Sequence, residues 1–189
     1  AIFWYGAQTA AASSALVALL ILSPVLFGAA LAIALESGFP VLFRQTRLGL
    51  HGREFGMLKF RSMVKNAASI GPYFTSTSDP RVTRVGRFIR RTSIDELPQI
   101  LNVLRGDMSL VGPRPDVPAQ RALYSDADWA QRCSVRPGIT GLAQALLRSE
   151  GTEAQRLALD LRYTREMSVG FDLKIMAWTL GRLTGKGSN

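Results

Sequence analysis

Ala10 to Leu35 reads AAASSALVALLILSPVLFGAALAIAL, 26 residues without a charged side chain. As one helix it is about 39 Å long, more than the roughly 30 Å of bilayer hydrocarbon. A cleaved signal peptide fits poorly, because no basic region precedes the run and the run is too long. Ser23-Pro24 interrupts it. Proline removes a helix hydrogen bond and crowds the preceding turn, and Ser23 can bond a backbone carbonyl and sharpen a bend. The halves Ala10–Leu22 and Pro24–Leu35 are each only about 18–20 Å long, too short to cross alone. Two arrangements stay open on these residues: a spanning helix, tolerated despite its proline, and a kinked segment that enters and leaves by one face.

The rest of the 189-residue chain is different in kind. Lys plus Arg total 23 against 14 Asp plus Glu, a net charge of +9, with a pI near 10.6. Residues 1–35 hold none of these charges, and Glu36 is the first. The sequence therefore divides into a membrane-embedded segment, residues 1–36, and a basic domain, residues 37–189. The positive-inside rule puts that domain on the cytoplasmic face. One cysteine, Cys133, and 17 glycines without a period exclude disulfide and collagen scaffolds.

Val41–Thr46 and Glu54–Phe60 flank Gly49-Leu50-His51-Gly52 and predict a β-hairpin. Lys65–Pro80 is a Ser-, Thr-, Gly- and Pro-rich loop. Arg81–Arg91 (RVTRVGRFIRR) carries five arginines and no acid. Leu97, Ile100, Leu101 and Leu104 recur at helical spacing, so Ser93–Leu104 is predicted helical, stopped by Gly106. Met108–Val111 is a short strand or turn before Gly112-Pro113-Arg114-Pro115. Thr152–Met167 is a helix with Thr152 as its cap, and Phe171–Arg182 is an amphipathic helix.

Ser93-Ile94-Asp95-Glu96 fits a capping box, in which Ser93 caps and Glu96 reciprocates. Its surroundings point further. The acids follow an arginine run, so both carboxylates are expected to stay ionised. A helix start offers free N–H groups to phosphate, and Pro98 stiffens the first turn. A carboxylate among cations suits phosphoryl transfer, where arginines neutralise nonbridging oxygens and an aspartate can serve as nucleophile. Oxygen-only ligands favour Mg²⁺, and the lone His51 and Cys133 argue against zinc; His51 is expected in a turn and Cys133 packed. Arg114, held between Pro113 and Pro115, can grip phosphate bidentately. Lys59 and Arg61 alternate with Phe60 on the strand and are expected on one face as an anion site. Solvated or lipid-facing cations are the plainer reading of these basic runs, and no nucleic-acid reader motif accompanies them.

The residues also carry a resemblance. DPRVTRVGRFIRRTSIDELPQILNVLRGDMSLVGPRP (Asp79–Pro115), FRQTRLGLHGREFGMLKFRSM (Phe43–Met63) and RPGITGLAQ (Arg136–Gln144) resemble the bacterial sugar transferases, the monotopic phosphoglycosyl transferases. The resemblance runs from about Ser23 onward. It implies transfer of a phospho-sugar from a UDP-sugar to polyprenol phosphate with release of UMP, the first membrane step of glycoconjugate assembly. Asp95 would be the nucleophile and Glu96 its dyad partner, both candidate Mg²⁺ ligands. Arg114 of the Pro113–Pro115 motif would bind phosphate or nucleotide, with Lys59, Arg61, Arg90 and Arg91 as further anion contacts. The family's Ser-Pro kink matches Ser23 and Pro24 and implies a re-entrant helix.

The expected fold is thus helix-rich α+β: a kinked re-entrant membrane helix, a small β-hairpin, a catalytic helix opening at Ser93, and surface amphipathic helices that attach to the bilayer. The expected location is the bacterial cytoplasmic (inner) membrane. Members usually carry basic residues before the apolar segment; residues 1–35 here have none, and the chain otherwise resembles the family's short form. A non-enzymatic basic module binding anionic lipid or an acidic partner remains the alternative, and direct attack by polyprenol phosphate is a third reading. The sequence names neither the sugar nor the oligomeric state; Lys65–Pro80 and Asp116–Arg132 are the candidate specificity stretches.

Overall fold

A computed structural model describes residues 2–67, 69–70, 79–147 and 151–183; most of the Lys65–Pro80 stretch lies outside them. The architecture is helix-rich α+β with two small sheets. Helix α1 runs Ile2–Ser37, through Pro24. Proline has no N–H for the carbonyl four residues back, which is that of Leu20; the Ser23 hydroxyl donates to that oxygen instead, at 2.7 Å.

One stripe of α1 is packed on the domain. Ala15, Ala18, Leu19 and Leu22 meet Met57, Ile100, Val103 and Met108, and Leu26, Ala29, Ala30 and Ile33 meet Phe60 and Ile89. These positions recur every three to four residues, the spacing of one helix face. Leu16, Val17, Leu20, Ile21, Phe27, Leu31 and Leu35, on the other side, are exposed. Four of the eight packed residues are alanines, whereas the exposed ones named here are all large.

The helix end is fastened by two charges. Arg61 is buried, and its guanidinium donates to the carbonyls of Ser37 (3.0 Å), Gly38 and Pro40 and to the Ser37 hydroxyl (2.8 Å). A cation there satisfies orphan carbonyls and complements the helix dipole. Glu36 reaches the other way, accepting from the backbone N–H groups of Arg84 (2.8 Å) and Val85 (3.1 Å). Those groups start α2 (Arg84–Arg91), whose cap is Thr83, accepting from Gly86 N–H at 2.9 Å. A Cβ on Gly86 would stand 2.0 Å from the Ser62 carbonyl oxygen, so only glycine lets α2 lie this close to that segment.

Strands β1 (Leu42–Leu48) and β2 (Glu54–Phe60) form the expected hairpin, antiparallel from Leu42↔Phe60 to Leu48↔Glu54. Its turn includes left-handed His51 and Gly52, and the His51 N–H bonds the Cys133 carbonyl at 2.8 Å. Beyond α2 the helix predicted from Ser93 is different. Ser93 is left-handed (φ 57°) and caps nothing, Ile94–Glu96 is a 3₁₀ turn, and α3 spans only Gln99–Arg105. The reason is Pro98. It lies five residues after Ser93, where an α-helix would need its missing N–H, and the chain uses tighter bonds: Leu97 N–H to Ile94 and Ile100 N–H to Leu97. Gly106 (φ 81°) ends α3 as expected.

Strand β3 (Ser109–Val111) pairs in parallel with β4 (Gly138–Thr140), with α4 (Asp126–Arg132) between them in sequence. Helices α5 (Leu142–Leu147), α6 (Glu153–Glu166) and α7 (Val169–Leu183) complete the fold. Thr152 and Gln155 cap α6 reciprocally. Helix α7 buries Ile175 and packs Phe171 against Tyr163, Val111 and Leu142, while Val169, Leu173, Trp178 and Leu180 stay exposed.

Arg132, at the end of α4, is buried between two acids. It donates to Asp160 (2.9 Å), Asp116 (2.5 Å) and the Arg114 carbonyl (2.7 Å). Burial pushes both carboxyls up, Asp160 to about 6, against the pull of the guanidinium. Without that pull both rise further. The folded state then holds protons that the unfolded chain has released, so its stability grows as pH falls. Arg132→Met should cost about 3–5 kcal/mol at neutral pH by stranding two buried charges. Thermal unfolding in detergent should show part of that loss recovered as pH falls from neutral, a larger recovery than in the parent.

Candidate active site

The hairpin, the 3₁₀ turn and the loop after β3 converge on one carboxylate. Lys59 Nζ donates to Glu96 Oε1 at 2.7 Å, and Arg114 Nη2 donates to the same oxygen at 2.9 Å. Glu96 and Lys59 are three-quarters or more buried, while the Arg114 side chain is 45% exposed. Burial works against the Glu96 charge, but Arg114 and Lys59 outweigh it and hold its carboxyl at about 2. Glu96 is therefore a fixed anion. Its carboxylate turns to these cations instead of returning to Ser93, so the capping-box expectation gives way to an ion cluster.

Asp95, next to it, is treated differently. Burial and the neighbouring Glu96 charge push its carboxyl up, against Lys59 and Arg90. The expectation was that both carboxylates stay ionised; the surroundings shift the two in opposite directions, Glu96 down and Asp95 up. Arg90 is oriented by its Nε–H bond to the Ser62 hydroxyl, 2.7 Å, and so α2 supplies a positive charge to Asp95.

The Pro113–Pro115 segment is pinned at every carbonyl. Gly138 N–H bonds Pro113 (3.0 Å), Arg132 bonds Arg114 (2.7 Å) and Arg47 bonds Pro115 (2.9 Å). Both prolines are buried and only the Arg114 side chain projects. This is a cation presented on a backbone with little freedom left to lose.

Two expected anion contacts are placed elsewhere. Arg61 does not share a face with Lys59: β2 ends at Phe60, and the Arg61 guanidinium is taken up by the end of α1. Arg91 is exposed at the last turn of α2, outside the Glu96 cluster. No local pattern marks Arg47, Ser62, Asn102 or Arg132 in the sequence, because each acts through a partner distant in the chain. Among the described residues no three His, Cys, Asp or Glu side chains gather as a metal cluster.

Comparison with known proteins fits this arrangement. The bacterial sugar transferase family model matches residues 7–186. The chain is 51% identical over 170 residues to a Caulobacter vibrioides protein named UDP-glucose:undecaprenyl-phosphate glucose-1-phosphate transferase, covering 85% of this chain and 63% of that one. It is 49% identical over 175 residues to the undecaprenyl-phosphate glucose phosphotransferase of Komagataeibacter xylinus, covering 87% of this chain but 33% of that one. An exopolysaccharide production protein of Rhizobium leguminosarum bv. phaseoli is 44% identical over 187 residues, with 92% and 94% covered. The chain thus spans from about a third to nearly all of these relatives' lengths. On the family match and these identities, the chain belongs to the bacterial sugar transferases.

Proposed function

We propose that the protein transfers glucose 1-phosphate from UDP-glucose to undecaprenyl phosphate, releasing UMP, with Asp95 as nucleophile. The observation that carries this reading is the pairing of an anion locked by Lys59 and Arg114, Glu96, with a half-buried neighbour, Asp95, that feels the charges of Lys59 and Arg90. The names of relatives at 51% and 46% identity supply the donor and the acceptor.

In the first step an Asp95 oxygen attacks the β-phosphorus in line. The bond from that phosphorus to the bridging oxygen breaks, and UMP leaves with the electron pair. In the second, an oxygen of undecaprenyl phosphate attacks the same phosphorus and frees the Asp95 carboxylate. Arg114 and Lys59 neutralise phosphate oxygens as charge builds. Glu96 keeps both cations in place without titrating. Phosphoryl transfer between two anions fits Mg²⁺, and the site's donor set fits it too: two adjacent carboxylates, Asp95 and Glu96, offer only oxygen. That cation usually leaves its other positions to water and substrate phosphates. When bound it would supply charge neutralisation at the transferring phosphate.

The lipid acceptor requires the bilayer. Helix α1 is packed along the domain from Ala15 to Ile33, about 27 Å. A helix that crosses upright leaves its domain at one end, so packing along its length supports a re-entrant α1, with the domain lodged against the cytoplasmic face. The exposed apolar side of α1, with Phe39 and Phe43 after it and Val169, Leu173 and Leu180 on α7, would face lipid, and exposed Arg84, Arg87 and Arg91 would meet anionic headgroups.

Asp95→Asn should abolish UMP release from UDP-glucose in the presence of undecaprenyl phosphate, while the variant stays folded and in the membrane fraction. Retained turnover would remove Asp95 from the nucleophile role; a charge-only module would show no turnover in either protein. For topology, cysteines placed ahead of Ala1 and at Ala130, in a Cys133→Ala background, should both resist an impermeant maleimide until cells are opened. Labelling of the first alone in intact cells would mean that α1 spans.

A further inference from the structure

We infer that Asn102 is a positioning residue that sets the distance between Lys59 and the Asp95–Glu96 turn; this rests on the active-site reading above. Asn102 is fully buried on α3. Its Oδ1 accepts from the Leu58 N–H at 2.9 Å, and its Nδ2 donates to the Gly56 carbonyl at 2.9 Å and to Asp107 at 3.2 Å. The sheet has two strands, and β2 spends one edge on β1. The other edge faces α3, and there one side-chain amide takes the place of a peptide unit from a third strand. It supplies both an acceptor and a donor at adjacent positions of that edge.

The consequence lies one residue further along β2. Leu58 immediately precedes Lys59, and α3 continues directly from the turn that carries Asp95 and Glu96 through the Leu97 and Ile100 bonds. Asn102 therefore ties together the two backbones whose side chains meet at 2.7 Å. Met57 of β2 also packs against Ile100 and Val103 of α3, an apolar contact. Apolar contact is non-directional and lets a strand slide by a fraction of a residue. Two hydrogen bonds to consecutive edge groups do not. The registry of Lys59 against the dyad is thus held by an amide that touches neither substrate nor a reacting atom.

The test uses the full-length protein in detergent or nanodiscs, with turnover expressed per folded molecule. Asn102→Ala should lower kcat about 10- to 100-fold, the cost of roughly 1 Å of misplacement at a reacting group, with KM for UDP-glucose little changed. Val103→Ala, a neighbouring core truncation that leaves the β2 bonds intact, should lower the melting temperature but keep kcat near the parent's. In a Lys59→Met background Asn102→Ala should have almost no further effect on residual kcat, because the two act as one unit. If Asn102→Ala does not fold, Asn102→Asp, which keeps the acceptor for Leu58 and loses the donors, is read in the same cycle. Parental kcat per folded molecule, or an undiminished effect in the Lys59→Met background, would overturn the inference. Asp95→Asn, assayed alongside, separates the failures: its retained turnover sinks the active-site reading, whereas its inactivity beside a normal Asn102 variant sinks only the positioning role.

Discussion

A single oxygen, Glu96 Oε1, is shared by cations from two distant parts of the chain, Lys59 on β2 and Arg114 on the loop after β3. Its geometry requires the hairpin, the 3₁₀ turn and the parallel pair β3–β4 to be correctly placed at once. Each support is traceable: Asn102 from α3 to β2, Arg132 to the Arg114 carbonyl, and Ser62 to Arg90, which adds charge at Asp95. Glu96 is held at about 2 and so stays an anion at neutral pH, whereas burial pushes its neighbour Asp95 the other way. Adjacent acids with opposite shifts can take different roles.

The same economy of charge governs the apolar helix. A bilayer segment gains nothing from lipid that could place it on a particular side of the domain. Its register is set at one end, where Arg61 takes the last carbonyls of α1 and Glu36 takes the first N–H groups of α2. Along its length the stripe from Ala15 to Ile33 keeps α1 close to β2, α2 and α3. The candidate site and the apolar helix therefore share a scaffold, the arrangement that the proposed transfer to a membrane lipid requires.

Much of the fold was legible because its signals were local. The hairpin, the Gly106 stop, the Thr152 cap and the long apolar run each depend on residues within a few positions of one another. Two readings failed for physical reasons. The Ser93 capping box has the right letters, but Pro98 stands where an α-helix from Ser93 needs an N–H, and the carboxylate of Glu96 gains more from Lys59 and Arg114 than from Ser93. Arg61 follows Lys59 by two, yet the strand ends between them, so alternation no longer fixes its side. What the sequence hid was long-range. Glu36 meets α2 48 and 49 residues away and Asn102 meets Leu58 44 residues away, and no spacing announces either. Asp95, Glu96, Lys59 and Arg114 stand out in the sequence, and the fold gathers Lys59 and Arg114 on Glu96; the residues that hold them in place carry no such signal.

The proposed mechanism requires a covalent bond between Asp95 and phosphorus. Intact-protein and peptide mass spectrometry of the protein incubated with UDP-glucose alone, without lipid acceptor, tests it most directly. The expected result is a hexose-phosphate adduct on the peptide containing Asp95, absent in Asp95→Asn and discharged when undecaprenyl phosphate is added. Full turnover with lipid present, but no adduct at any donor concentration, would mean that the lipid phosphate attacks UDP-glucose itself.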